Sequence, residues 1–285
     1  MKKVLSILLC TVLLISSVSV FAEENSKNVE VLMDLGIIEG YEDGSFKGDD
    51  IVTRAEAVVM VTRMLNLSVK YGNDTQFTDV DKDDWFAGFV NAAVEKGFVN
   101  GQGDGTFDPY ARLSVHHIVK MLVCALGYDG IAEINHGGWA QEGYMVVARM
   151  LNLIDDSVKA EQTATRWFVA ELLYKALETD LCANYYTGDV LWGKTVRSEF
   201  LKMEKIEGVV DSIYPSVAID KTSGKLINLV VSKNYSSESD VKYRAKTSVA
   251  FLVHDEDVLN LKGKKVVCYA GENEKGLDTV YAIIE

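Results

Sequence analysis

Proline is scarce: Pro109 and Pro215 are the two in 285 residues. No proline-containing sortase signal is therefore expected, and any attachment to a cell should be non-covalent. Cysteine is scarce too, at Cys10, Cys124, Cys182 and Cys268. Once a leader containing Cys10 is removed, the odd count and wide spacing exclude a disulfide framework. Cys124 and Cys268 then read as small buried hydrophobes. Of four histidines, His116 and His117 are adjacent, and His136 and His254 stand alone. Neighbours on a helix point about 100° apart and cannot chelate one ion as an i, i+4 pair can, so no metal is expected. Positive charge is in deficit, 29 Lys and Arg against 42 Asp and Glu, for a net charge of −13. Losing Lys2 and Lys3 with an acid-free leader takes this to −15. Such acidity argues against nucleic acid and anionic membrane surfaces. It leaves an acidic glycan open where a groove is locally basic. Nucleophile elbow, phosphate loop and dinucleotide fingerprint are all missing. Carboxylates are too many for any pair to mark glycoside hydrolysis. The reading is a non-enzyme without cofactor.

Long apolar runs are missing after the N-terminus, where Lys2-Lys3 precedes Val4 to Val20. Ser16, Ser17 and Ser19 interrupt that run, and Val20-Phe21-Ala22 suits small-x-small cleavage. Residues 1–22 therefore read as a secretory signal peptide rather than a membrane anchor. Leu9 stands where a lipoprotein signal ending at Cys10 needs a small residue. No later stretch approaches the roughly 18 apolar residues of a membrane span.

What is present is a repeat. Gly36-Ile-Ile-Glu-Gly40-Tyr-Glu-Asp43-Gly44-Ser-Phe46 leads to Thr53-Arg54-Ala55-Glu56 and an apolar helical face from Val58 to Leu65. Thr53 and Glu56 have capping-box spacing. Gly40 and Gly44 suit a turn with positive φ or close approach. Sixty-one residues on, Gly97, Gly101, Asp104, Gly105 and Phe107 repeat the turn without a gap, and Ser114 takes the place of Thr53. A looser third copy runs from Trp139, with Thr165-Arg166 opening its second helix and the Asp-Gly-x-Phe turn lost. A fixed period of this length marks a repeat protein. Arg54 and Arg166 sit at the first helical position, where a cation opposes the macrodipole. A helix N-terminus offers free N–H donors, and a guanidinium beside it adds a fork suited to a carboxylate. On that reading Arg54→Ala should weaken anion binding and leave stability unchanged or slightly raised.

Phe77-x-Asp79-Val80 with Trp85, the Gly-x-x-Asp-Gly-x-Phe loops and Thr53-Arg54-Ala55-Glu56 resemble the S-layer homology (SLH) family over roughly residues 25–180. The resemblance implies a bundle of three repeats with pseudo-threefold symmetry. It also implies binding of secondary cell-wall polysaccharide, often pyruvylated, in grooves between repeats, with the motif arginine and the helix-one tryptophan among the groove residues. The glycan-binding set expected on this basis is Arg54, Arg166, Trp85, Asp79, Thr53, Glu56, Gly40 and Gly101. Repeat one lacks the Phe-x-Asp-Val opening. Repeat two has Ser114-Val115-His116-His117 in place of the arginine motif, and repeat three has Thr165-Arg166-Trp167-Phe168. At most two working grooves are expected, one on Arg54 and one on Arg166. Trp85, Trp139 and Trp167 suit either a core or a sugar face. Thr53, Glu56, Ser114 and Thr165 are read first as caps. Asp79-x-Asp81-x-Asp83 resembles the start of a calcium loop, but Asp84 and Val90 occupy the positions needing Gly and Glu, so these acids are read as helix caps.

After about Leu181 helical periodicity gives way to strand signals at 206–213, 225–231, 248–253, 264–269 and 279–284. The fold class is α+β: a mainly helical SLH three-repeat bundle followed by a small antiparallel β barrel or sandwich. The expected division is signal peptide 1–22, repeats 23–70, 71–130 and 131–180, linker 181–202 and β domain 203–285. The resulting picture is a secreted bacterial surface protein held to the wall by its glycan. Other surface-layer proteins are further candidate partners, and nucleic acid and membrane are not. Two rivals stand beside it: a surface-layer subunit whose degenerate repeats make protein contacts, and a surface enzyme acting on glycans.

Overall fold

A computed structural model describes residues 26–184, 186–215, 225–231, 248–253, 260–272 and 278–285. The signal peptide expected at 1–22 lies outside them. The class is α+β. Helices come first: α1 (residues 26–34), α2 (Arg54–Met64), α3 (Ala87–Lys96), α4 (Val115–Ala125), a π-helical turn at Ile131–Asn135, α5 (Gly143–Met150) and α6 (Arg166–Glu178). No helix among the described residues is long and apolar enough to cross a membrane.

The second helices of the three copies, α2, α4 and α6, start from one hydrogen-bonded ring. Val52 N–H donates to Ala164 O, Ala164 N–H to Leu113 O, and Leu113 N–H to Val52 O, at 2.8–3.1 Å. Each of these residues immediately precedes a helix cap, and all three are buried. Thr53 and Glu56 form the expected capping box, and Ser114 and Thr165 cap α4 and α6 through the third helical amide. A single apolar cluster runs from Val29 to Val196 and joins all three copies. No copy could bury its apolar face alone, which is the physical basis of a repeat array.

The stretch 181–202 is ordered structure where a linker was expected. Strands β1 (Asp180–Cys182) and β2 (Val190–Thr195) pair antiparallel, and α7 (Val196–Glu199) follows with a capping box from Thr195 and Ser198. Leu181 and Val196 join the helical core, which explains the order of a stretch without a clear strand or helix period.

The C-terminal strands are β3 (Glu204–Pro215), β4 (Lys225–Val231), β5 (Ser248–Val253), β6 (Lys265–Glu272) and β7 (Asp278–Ile284). They lie where the β-branched and aromatic runs placed them. The neighbour order is β3-β4-β5-β7-β6, and β6 also pairs with β3. All pairings are antiparallel except β5 with β7, which meet at one parallel pair, Leu252↔Thr279. The hairpin loop expected at 272–276 lies outside the described residues after Glu272. Ile206, Val210, Val266, Cys268, Ala270 and Val280 form a separate apolar core.

The sheet is docked on the helices. Tyr269 and Ala282 pack with Val31 of α1, and Tyr269 Oη lies 3.0 Å from Tyr174 Oη of α6. Arg197, which is buried, reaches Glu178 at 3.1 Å and donates to Met203 O at 2.8 Å.

Candidate functional site

The free helix N-termini expected from the sequence are not free. Arg54 N–H donates to Ala111 O and Ala55 N–H to Pro109 O. In the same way Val115 and His116 donate to Gln162 O and Ala160 O, and Arg166 and Trp167 to Asp50 O and Gly48 O. These bonds measure 2.8–3.0 Å. The third amide of each helix goes to its cap, so the first turn has no unused donor to offer an anion. Packing against the next copy consumed what an isolated helix would expose.

The arginines also cross to the neighbouring copy. Arg54 Nε donates to Phe107 O at 3.0 Å and Nη2 to Asn100 O, with the guanidinium over the Phe107 ring at 4.6 Å. Arg166 repeats this on the first copy, donating to Phe46 O at 2.9 Å and Glu39 O at 2.8 Å, with its guanidinium over Tyr41 and Phe46. Each thus braces both ends of a Gly-x-x-Asp-Gly-x-Phe loop. The Nε–H and one Nη2–H of each arginine are spent on carbonyls, so the fork expected for a carboxylate has lost that edge, while Nη1 makes no hydrogen bond among the described residues. Burial pulls the Arg54 pKa down, and Asp108 partly offsets this. Both side chains are buried, 7% and 6% exposed, so Arg54→Ala would strand two carbonyls. The expectation of unchanged or raised stability is therefore withdrawn.

The loops are built for this contact. Asp43 and Asp104 accept from the backbone and hydroxyl of Ser45 and Thr106, and Tyr41 N–H and Gln102 N–H close each turn on Ser45 O and Thr106 O. Gly44 and Gly105 have φ of 76° and 89°. Gly101 is required by close approach instead: a Cβ there would lie 2.4 Å from the Phe77 ring and 2.7 Å from Thr106 O. Asp79 accepts from Phe107 N–H and Asp108 N–H, both at 2.7 Å. It is a clamp behind the second loop and lines neither groove.

Two grooves result. The first, about 260 Å³, brings Arg54 together with Asn100, Gly101, His117, Lys120 and Trp139. The second, about 210 Å³, brings Arg166 together with Glu39, Gly40, Glu56, Arg63 and Trp85. The construction is shared: an arginine from one copy, a glycine loop and helix from the next, and a tryptophan from a third segment. Trp85 is 56% exposed and Trp139 43%, so both present ring surface. Trp167 instead packs on Phe46 at 4.8 Å over Gly48, where a Cβ would overlap it.

Of the expected residues, Arg54 and Gly101 meet in the first groove, and Arg166, Trp85, Glu56 and Gly40 in the second. Thr53 is a cap and lines neither. Lys120, His117 and Arg63 were missed. Their signal was departure from the repeat: at the 61-residue offset Lys120 replaces Val59, His117 replaces Glu56, and Arg63 is answered by Cys124. His117 Nδ1 lies 2.7 Å from Ser114 Oγ. Burial first, then Arg54, His116 and Lys120, push its pKa down to about 4, so it is neutral near pH 7. His116 stacks on Trp139 with centroids 3.7 Å apart. Cys268 is buried and Cys124 partly so, and burial pushes both thiols up to about 12.

Residues 22–58 and 76–112 match the S-layer homology domain model. The chain is 33% identical over 181 residues to a middle cell wall protein of Brevibacillus brevis, covering 62% of this chain and 16% of that protein. It is 36% identical over 144 residues to a surface layer protein of Brevibacillus choshinensis, covering 45% of this chain and 13% of that protein. An endo-1,4-beta-xylanase A of Thermoanaerobacterium saccharolyticum is 36% identical over 75 residues, 26% of this chain and 6% of the enzyme. The matches thus span less than a fifth of each relative's length. Repeats, loops and relatives agree: the chain carries S-layer homology domains and is a protein of the cell surface.

Proposed function

We propose that this protein is anchored non-covalently to the cell wall by secondary cell-wall polysaccharide, pyruvylated as the resemblance implies, seated in the two grooves. The observation that carries the reading is their common construction, with arginine, glycine loop and exposed tryptophan assembled twice from different copies. A sugar ring stacks on Trp85 or Trp139, as apolar sugar faces do on aromatic rings. The loop backbone and arginine Nη1 orient its polar groups. The helical copies act as a pseudo-threefold bundle and the C-terminal strands as a small barrel serving structure or interaction rather than catalysis. The same region matches parts of surface layer proteins and of a xylanase, which suits an anchor that accompanies different partners. The test is co-sedimentation of the mature chain with purified wall, before and after extraction of its polysaccharide. Binding should vanish on extraction and fall strongly in a Trp85→Ala/Trp139→Ala double variant. Equal binding to extracted wall would refute the reading.

A further inference from the structure

The two grooves share a plan and differ in charge. The first is lined by two cations, Arg54 and Lys120, and by no Asp or Glu. Its histidine is neutral, and Lys120 makes no ion pair among the described residues. The Lys120 Nζ rests instead 5.5 Å from the Trp139 ring and 5.3 Å from the Tyr144 ring. The second groove has two cations and two acids: Arg63 and Arg166 against Glu39 and Glu56. Arg63 pairs with Glu39 at 2.8 Å, and the Glu39 carbonyl also takes the Arg166 Nη2–H. Glu56 is held by the cap at Thr53. A carboxylate entering the first groove meets Arg54 and Lys120 beside an aromatic face with no acid in the lining, Asp108 offsetting Arg54 in part from outside it. In the second it meets Arg63 already paired with Glu39, Arg166 held on two backbone carbonyls as Arg54 is, and the acids Glu39 and Glu56, which repel it.

We propose that the grooves divide their ligand by charge: the Arg54 groove takes a carboxylate-bearing sugar, and the Arg166 groove an uncharged one. This rests on the wall-glycan reading above. Lys120 is the specificity-determining residue of the first groove and Glu39 that of the second. Placing the acidic unit in one groove makes the first groove's contribution salt-sensitive and leaves the second's nearly independent of salt.

The test is calorimetric titration of the full mature chain with purified wall polysaccharide, native and after carbodiimide–borohydride reduction of its carboxylates. Wild type should bind the native form more tightly. Lys120→Gln should weaken the native form about tenfold, the worth of one charge-assisted hydrogen bond, and leave the reduced form unchanged. Trp85→Ala should weaken both forms by the same factor. Glu39→Gln, which unmatches Arg63, should strengthen the native form alone. Melting curves verify that each variant is folded. Equal wild-type affinity for both forms, or an equal loss for both in Lys120→Gln, overturns the division by charge while leaving wall binding standing. Failure of wild type to bind either form overturns the wall-glycan reading and this proposal with it.

Discussion

Two of the three equivalent helix starts carry an arginine, and the third carries Val115. The structure shows what decides between them. Arg54 serves the loop of the second copy and Arg166 that of the first. Val115 faces the third loop, which has lost its Asp-Gly-x-Phe turn. That shorter loop takes its arginine from its own copy, Arg149 donating to Val158 O at 3.1 Å and lying 3.6 Å from Asp156, while the Val115 and His116 amides hold Gln162 O and Ala160 O from the neighbouring copy. The missing arginine of repeat two and the degenerate loop of repeat three therefore lie on two sides of one contact.

The largest loss is expected at Val115, which is 2% exposed in the shared core. Val115→Arg places an unpaired cation there and should cost about 3–5 kcal/mol, the scale of an uncompensated buried charge. Chemical denaturation measures it. A stable variant that binds glycan more tightly would show that the third loop can be braced after all. Arg54→Ala comes next: stranding Asn100 O and Phe107 O should lower stability by about 3 kcal/mol. Thr53→Ala removes the cap and should cost about 1 kcal/mol, with the same denaturation readout. Tyr174→Phe leaves Tyr269 Oη without its partner and should cost a similar amount, about 1 kcal/mol. It also probes whether the sheet depends on the helices. Because Tyr269 is fully buried against them, a 184–285 fragment should melt well below the full chain.

A further difference between helix starts is titratable. His117 stands where the first copy has Glu56, and burial holds its folded pKa at about 4, below the ordinary value of about 6.5. Protons therefore bind the unfolded chain first. The stability due to neutral His117 is fully present above about pH 6.5 and is lost as pH falls from there toward 4. His116, also lowered by burial, acts in the same direction. The difference in unfolding free energy between wild type and His117→Gln should narrow or change sign across that window. A constant difference would mean that His117 titrates normally.

Much of this was legible in the sequence because it is local. The Thr53–Glu56 spacing fixes a capping box whatever surrounds it, and Gly44 and Gly105 mark turns by backbone conformation alone. Five β-branched runs became five strands. What was not legible depends on which copy faces which. Nothing near Arg54 in sequence says that its partners lie at Asn100 and Phe107, or that Ala111 O and Pro109 O fill the donors of its helix. Asp79 looked like a helix cap or a ligand group until the second loop was folded against it. The 181–202 stretch has too short a period to announce a hairpin and owes its order to the core beneath Leu181 and Val196.

Each arginine holds the loop of a neighbouring copy and so shapes the groove there. Amide hydrogen exchange of wild type, Arg54→Ala and Arg166→Ala reads this at the closing amides of the two loops, Tyr41 and Gln102. Arg54→Ala should speed exchange at Gln102 and spare Tyr41, and Arg166→Ala should do the opposite. Faster exchange at Tyr41 in Arg54→Ala, or no change in either loop, would contradict it.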